Sequence, residues 1–107
     1  MHRVIITRRA EREMRDGALW WASNRSSVQA GRWLAGFEKK LKSLAHSPTR
    51  CPFAIEHEDF PYELRELHYG LRRRTTHRAV FSIADDLVIV LAVRHAAQDL
   101  LRPDDLA

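Results

Sequence analysis

Arg65, His68, His77, Arg78, Arg94 and His95 are the side chains through which this sequence could do chemistry. They fall on, or at the ends of, three strand-like runs in the second half of the chain, and Arg72, Arg73 and Arg74 join the first two runs. An imidazole titrates near neutral pH, so it can take a proton from a hydroxyl or give one to a leaving oxygen. A guanidinium forks onto a phosphate and offsets the negative charge that develops there. Metal-free cleavage of RNA needs little beyond those two groups. The bland alternative is that strand-borne Arg and His sit on a solvated sheet face or pair with nearby acids.

Other chemistries lack their parts. The six histidines, at 2, 46, 57, 68, 77 and 95, form no HxH or HExxH pattern, and His57-Glu58-Asp59 lacks metal-ligand spacing. No GxxxxGK[ST], GxGxxG or GxSxG occurs, so phosphate-cradling loops and serine-hydrolase elbows are not expected. Cys51 is the lone cysteine and precedes Pro52; it excludes an internal disulfide and reads as structural. The expectation is a protein with no metal and no cofactor, acting in a reducing cytoplasm.

Charge gives a further hint. Lys plus Arg number 18 against 14 Asp plus Glu, a net charge of +4. Residues 1–50 hold 11 basic and 4 acidic side chains, whereas residues 51–107 hold 7 and 10. Fifteen of the 18 basic residues are Arg, the side chain suited to planar, forked contacts with phosphate or carboxylate. A high-GC genome explains such enrichment as readily as a surface facing nucleic acid or an acidic protein.

The elements that must position these residues follow from periodicity. Val4-Ile5-Ile6 reads as a first strand, and Thr7 caps a helix from Arg8 to about Ser23 with Ala10, Met14, Ala18 and Trp21 at helical spacing. Ser26 or Ser27 caps a second helix, in which Ala30, Leu34, Phe37, Leu41 and Leu44 alternate steps of four and three until about His46. Residues 47–62, with Pro48, Pro52 and Pro61, read as a connecting segment. Strands are expected at Glu63–Tyr69, Thr75–Ile83 and Leu87–Arg94, with a tight hairpin at Ala84-Asp85-Asp86. Leu87–Val93 is apolar throughout, as in a central strand covered on both faces. Ala96–Ala107 reads as a short tail.

The order β-α-α-β-β-β predicts an α+β fold, a small and mostly antiparallel sheet with the N-terminal helical hairpin packed on one face. Leu34, Phe37, Leu41 and Leu44 are expected to pack against Leu67, Phe81, Ile89 and Leu91. The length of 107 residues suits one domain spanning 1–107. No apolar run approaches the ~20 residues of a membrane span.

Three segments in order carry a resemblance. Phe60-Pro61-Tyr62-Glu63-Leu64-Arg65-Glu66-Leu67, then His77-Arg78-Ala79-Val80-Phe81-Ser82-Ile83, then Val88-Ile89-Val90-Leu91-Ala92-Val93-Arg94-His95 resembles the RelE/ParE toxin superfamily. Val4-Ile5-Ile6-Thr7 and the helical hairpin extend the likeness over nearly the whole chain. The resemblance implies the growth-inhibiting toxin of a bacterial type II toxin–antitoxin pair, of the kind also called plasmid stabilization modules, held by a cognate antitoxin in a hetero-oligomer and without membrane association. It implies a RelE-like endoribonuclease cutting mRNA on the ribosome, or a ParE-like poison of DNA gyrase acting by binding. An inactive module kept for antitoxin binding is a third reading. On the first, His95 transfers a proton while Arg65 and Arg78 hold the phosphate. Arg72, Arg73, Arg74, Arg94 and His77 are then contacts for the nucleic acid or other target. The sequence departs from the superfamily pattern where His77 replaces the usual Tyr, in having no lysine on the sheet, and in having no Tyr or Phe after His95. Whether the protein is an enzyme stays open at this point.

Overall fold

The structure is a computed structural model that describes residues 1–71, 74–96, 98 and 100–106. Strand β1 (Arg3–Ile6) leads into helix α1 (Arg8–Asn24), and α2 (Ser27–Lys42) follows after a short break. Thr7 caps α1 as expected: its hydroxyl accepts from the Ala10 N–H at 3.2 Å and donates to the Val90 carbonyl at 2.9 Å. One side chain thus satisfies an orphan donor of the helix and ties its start to the sheet. Ser26 caps α2 in the same way, accepting from Gln29 N–H at 3.1 Å. Lys39, Lys40 and Lys42 occupy the last turn of α2, where positive charge complements the helix dipole.

Three further strands complete the sheet: β2 (Arg65–Tyr69), β3 (His77–Ala84) and β4 (Leu87–His95). Their order is β1-β4-β3-β2, with β1 parallel to β4 and the remaining neighbours antiparallel. The α+β fold and β-α-α-β-β-β order expected from the sequence are therefore observed, and β4 is a central strand. Asp85-Asp86 forms the β3–β4 turn, with Asp85 at φ 54°, a left-handed conformation that Asp tolerates better than most residues.

Two cores form, one on each face of the sheet. On the helix side Trp33, Phe37, Leu41 and Leu44 are fully buried against Leu67, Tyr69, Ala79, Phe81, Val88, Val90 and Val93. Two parts of the expected packing are corrected here. Ile89 and Leu91 do not face the helices; Val88, Val90 and Val93 do. A bulge causes the change of phase: Val80 pairs with Ala92 and Phe81 with Val90, so Leu91 is the extra residue. Leu34 is half-buried at the core's edge, and Trp33 takes the central seat. Two helix glycines make that possible. A Cβ at Gly17 would lie 2.6 Å from the Trp33 ring, and one at Gly36 would lie 2.2 Å from Tyr69 Oη.

The opposite face is covered by segments that the sequence reading treats only as a connector and a tail. Ala54 and Phe60 from the first and Leu101 from the second are buried with Leu64, just before β2, against Val80 and Ala92. Short 3₁₀ turns at His57–Asp59 and Pro103–Leu106 lie within these segments.

Candidate functional site

Strand register assigns the basic residues to two faces. Tyr69, His77 and His95 form a cross-strand row on the helix side. His68, Arg78 and Arg94 form the adjacent row on the opposite face, because successive strand residues alternate. Arg65 is opposite Phe81, four positions along β3 from His77, a separation of roughly 13 Å at ~3.3 Å per residue. Arg65, Arg78 and His95 are therefore not brought together on one concave face.

Two of these arginines hold the fold. Arg78 is buried and forks onto the fully buried Glu56: Nη1 donates to Oε1 at 2.8 Å and Nη2 to Oε2. Its Nη1 also reaches Glu66 Oε1 at 3.4 Å. Glu56 Oε2 accepts from the Leu101 N–H at 2.8 Å, and Glu66 Oε1 from the Ile55 N–H at 3.1 Å. The outer oxygen of Glu66 meets His68 Nε2. Burial by itself would raise the Glu56 carboxyl, but the Arg78 hydrogen bonds, the Leu101 N–H and the Arg78 charge outweigh it and hold the group below its ordinary value. Arg65 clamps the connecting segment to β2: Nη1 donates to the Cys51 carbonyl at 2.6 Å and the Thr49 carbonyl at 3.2 Å, and Nε donates to Glu63 at 2.7 Å. Its guanidinium also lies 4.4 Å from the Phe53 ring centre.

What the fold does bring together is the pair His77 and His95, their ring centres 5.1 Å apart and edge to face. They line a cleft of about 510 Å³ between α1 and the end of β4, with Glu13, Asp16, Trp20, Trp21, Arg25, Thr76 and Val93 among its walls. His77 forms the floor. It packs edge-on against Trp33 at 4.8 Å, and its Nδ1 shares a 2.9 Å hydrogen bond with Thr76 Oγ1. Burial, with a smaller contribution from His95, pulls the His77 imidazole down to about 4, so it is neutral at physiological pH. Arg74 is exposed and Arg94 half-buried, while Arg72 and Arg73 lie outside the described residues.

The His77 environment has a measurable consequence. The unfolded chain binds this proton below about pH 6.5, whereas the folded protein refuses it until about pH 4, so stability falls as pH drops through that window. The expected contribution is on the order of 3 kcal/mol. Denaturant melts at pH 7 and pH 4 should show His77→Gln losing about that much less stability than wild type; equal losses in both proteins would refute the assignment.

Two features of the site are absent from the sequence reading. Glu56 lies in a connecting segment with no periodicity, 22 positions from Arg78, and nothing local marks the pairing. Trp20 and Trp21 carried a usable signal: adjacent tryptophans on one helix cannot both face the core, and Trp20 is 52% exposed.

The fold is a helical hairpin on a four-stranded mixed sheet with a histidine-floored cleft at one end, and two of the arginines singled out by the sequence, Arg65 and Arg78, do structural work. A family model for the ParE toxin of the type II toxin–antitoxin system parDE matches residues 4–100. The chain belongs to that family. No curated protein matches it. Among solved structures, a chromosomal ParDE toxin–antitoxin system from P. aeruginosa is similar in fold, with TM-score 0.70 and 16% identity over 89% of this chain and 96% of that one. No helix among the described residues is long and apolar enough to cross a membrane.

Proposed function

We propose that this ParE-family toxin arrests growth in the cytoplasm by binding DNA gyrase, without bond chemistry of its own, and that a cognate antitoxin restrains it in a hetero-oligomer. The observation that carries this reading is the position of Arg78. A scissile phosphate needs a free guanidinium beside the proton-transfer group, whereas this one is held by two buried carboxylates on the face away from His95. Arg65, the other proposed phosphate ligand, is held by Cys51, Thr49 and Glu63. In this reading His95, with His77 beneath it, shapes the cleft, and Arg72, Arg73, Arg74 and Arg94 supply charge toward the target.

The RelE-like reading keeps one point in its favour: His95 is exposed at the end of a rigid strand and lines the cleft. The two readings separate in parallel assays of gyrase supercoiling and ribosome-dependent mRNA cleavage, with wild type and His95→Gln. Expected is inhibition of supercoiling by both proteins within about threefold, with mRNA intact. Cleavage of mRNA by wild type, falling roughly 10²–10⁴-fold in His95→Gln as for loss of a general acid or base, would overturn the gyrase reading.

A further inference from the structure

A second cavity, of about 320 Å³, lies where the turn of the helical hairpin meets the β2–β3 connection. Trp21, Arg25, Gln29, Leu71, Arg74 and Thr76 line it. Trp21, Arg25 and Thr76 are shared with the larger cleft, but the acids of that cleft, Glu13 and Asp16, are not in this lining. The backbone fixes both arginines. Arg25 caps α1, its N–H donating to the Trp21 carbonyl at 2.9 Å. Arg74 belongs to a connection closed by the Thr76 N–H on the Tyr69 carbonyl at 3.0 Å. Gly70 lets that connection fold tightly, since a Cβ there would overlap the Arg74 carbonyl oxygen.

The lining selects an anion. It carries two guanidiniums and no carboxylate, and among the described residues neither arginine pairs with an acid, whereas Arg9, Arg15, Arg65 and Arg78 each do. α1 ends and α2 begins here, so their terminal partial charges offset one another and the guanidiniums set the sign. The lining also has an apolar side: Trp21 and Leu71 are half-buried against the helix-side core. Trp21 Nε1 and Gln29 Oε1, one donor and one acceptor, are buried with no hydrogen-bond partner among the described residues. Such groups cost free energy that a guest able to pair with them recovers.

We propose that this cavity binds a nucleoside phosphate, with the phosphate held by Arg25 and Arg74 and the base seated between Leu71 and the indole edge of Trp21. Guanidiniums fork onto phosphate oxygens. A base carries ring-nitrogen acceptors and an exocyclic amino donor, which match Trp21 Nε1–H and Gln29 Oε1. Both of these side chains are only half-buried, so they can turn their polar atoms toward a guest. A bare phosphate or a carboxylate would use the arginines and leave the apolar wall and the unpaired donor and acceptor idle. The volume lies at the small end of ligand pockets and suits one nucleotide. That nucleotide is either free or the 5′-phosphorylated end of a strand.

The test is an NMR titration of the full chain with adenosine 5′-monophosphate, adenosine, inorganic phosphate and a 5′-phosphorylated trinucleotide. The monophosphate is expected to shift the Trp21 indole N–H and to bind roughly 10-fold or more tightly than adenosine or inorganic phosphate. Arg25→Gln and Arg74→Gln should each weaken it about 10-fold, while Arg32→Gln, exposed on α2 and outside the lining, should leave it within about twofold. Arg25 and Arg74 are exposed, so both variants should melt like wild type, and a loss of binding then reports the site. Tighter binding of the trinucleotide than of the monophosphate assigns the site to a strand end, and the reverse assigns it to a free nucleotide. Inorganic phosphate binding as tightly as the monophosphate, binding that survives both arginine substitutions, or no saturable binding by about 10 mM would overturn the proposal. So would an acidic peptide that binds at these arginines where the monophosphate does not.

Discussion

Arg78→Ala is expected to lower the unfolding free energy by about 3–5 kcal/mol, the range for breaking a buried ion pair by removing one partner. For a chain of 107 residues that is on the order of 15–20 °C in melting temperature. The magnitude follows from what remains. Glu56 is fully buried, its Oε1 loses its Arg78 donor, and the neighbouring Glu66 Oε1 loses the same guanidinium. The pH dependence sharpens the test. In wild type the depressed Glu56 carboxyl contributes stability that is present above its ordinary value of 4.5 and lost as pH falls below it. Without Arg78, burial dominates and the carboxyl titrates higher, so the variant should begin losing stability to acid at higher pH than wild type. Arg78→Lys keeps a charge but not the fork, and should fall between the two. A cost below about 1 kcal/mol for Arg78→Ala in urea melts would mean the guanidinium is not committed to these acids and is free for a ligand.

That network also explains how much of the molecule could be read from its sequence. The helical hairpin was legible because its signals are local: Thr7 and Ser26 as caps, and Ala30, Phe37, Leu41 and Leu44 at helical spacing. The β3–β4 turn was legible for the same reason. Face assignment in β4 was not. Leu87–Val93 is apolar at every position, so it has no period-two signal to say which residues meet the helices, and the bulge at Leu91 changes the phase midway. The site suffered from the same ambiguity one strand over. His77 and Arg78 are adjacent in sequence and so lie on opposite faces, and grouping Arg78 with His95 required a parity that only the register supplies. Glu56 was hidden for a different reason: its partner is distant in sequence, and the loop that carries it is shaped by that contact.

Phe37→Ala should cost about 3–5 kcal/mol, as large-to-small changes at fully buried aromatic sites do. Phe37 is 0% exposed. Its ring lies edge-on to Trp33 at 5.3 Å and against Tyr69 at 4.6 Å. Neither neighbour can close the gap. Tyr69 is fixed by its hydroxyl, which donates to the Trp33 carbonyl at 2.9 Å, and Trp33 is wedged over Gly17. A cavity therefore remains, and its cost adds to the lost burial. Trp33 also supports the His77 ring, so the loss should reach the cleft, and exchange at the Thr76 and His77 amides should rise with that of the core. Two milder variants test the corrected register at the same time. Val90→Ala, facing the helices, should cost more than Ile89→Ala on the opposite, half-buried face, although Ile loses the larger side chain. Denaturant melts of the three variants give the ordering directly. Ile89→Ala exceeding Val90→Ala, or Phe37→Ala below about 1 kcal/mol, would mean that the helices do not pack on this face of β4 as the bulged register requires.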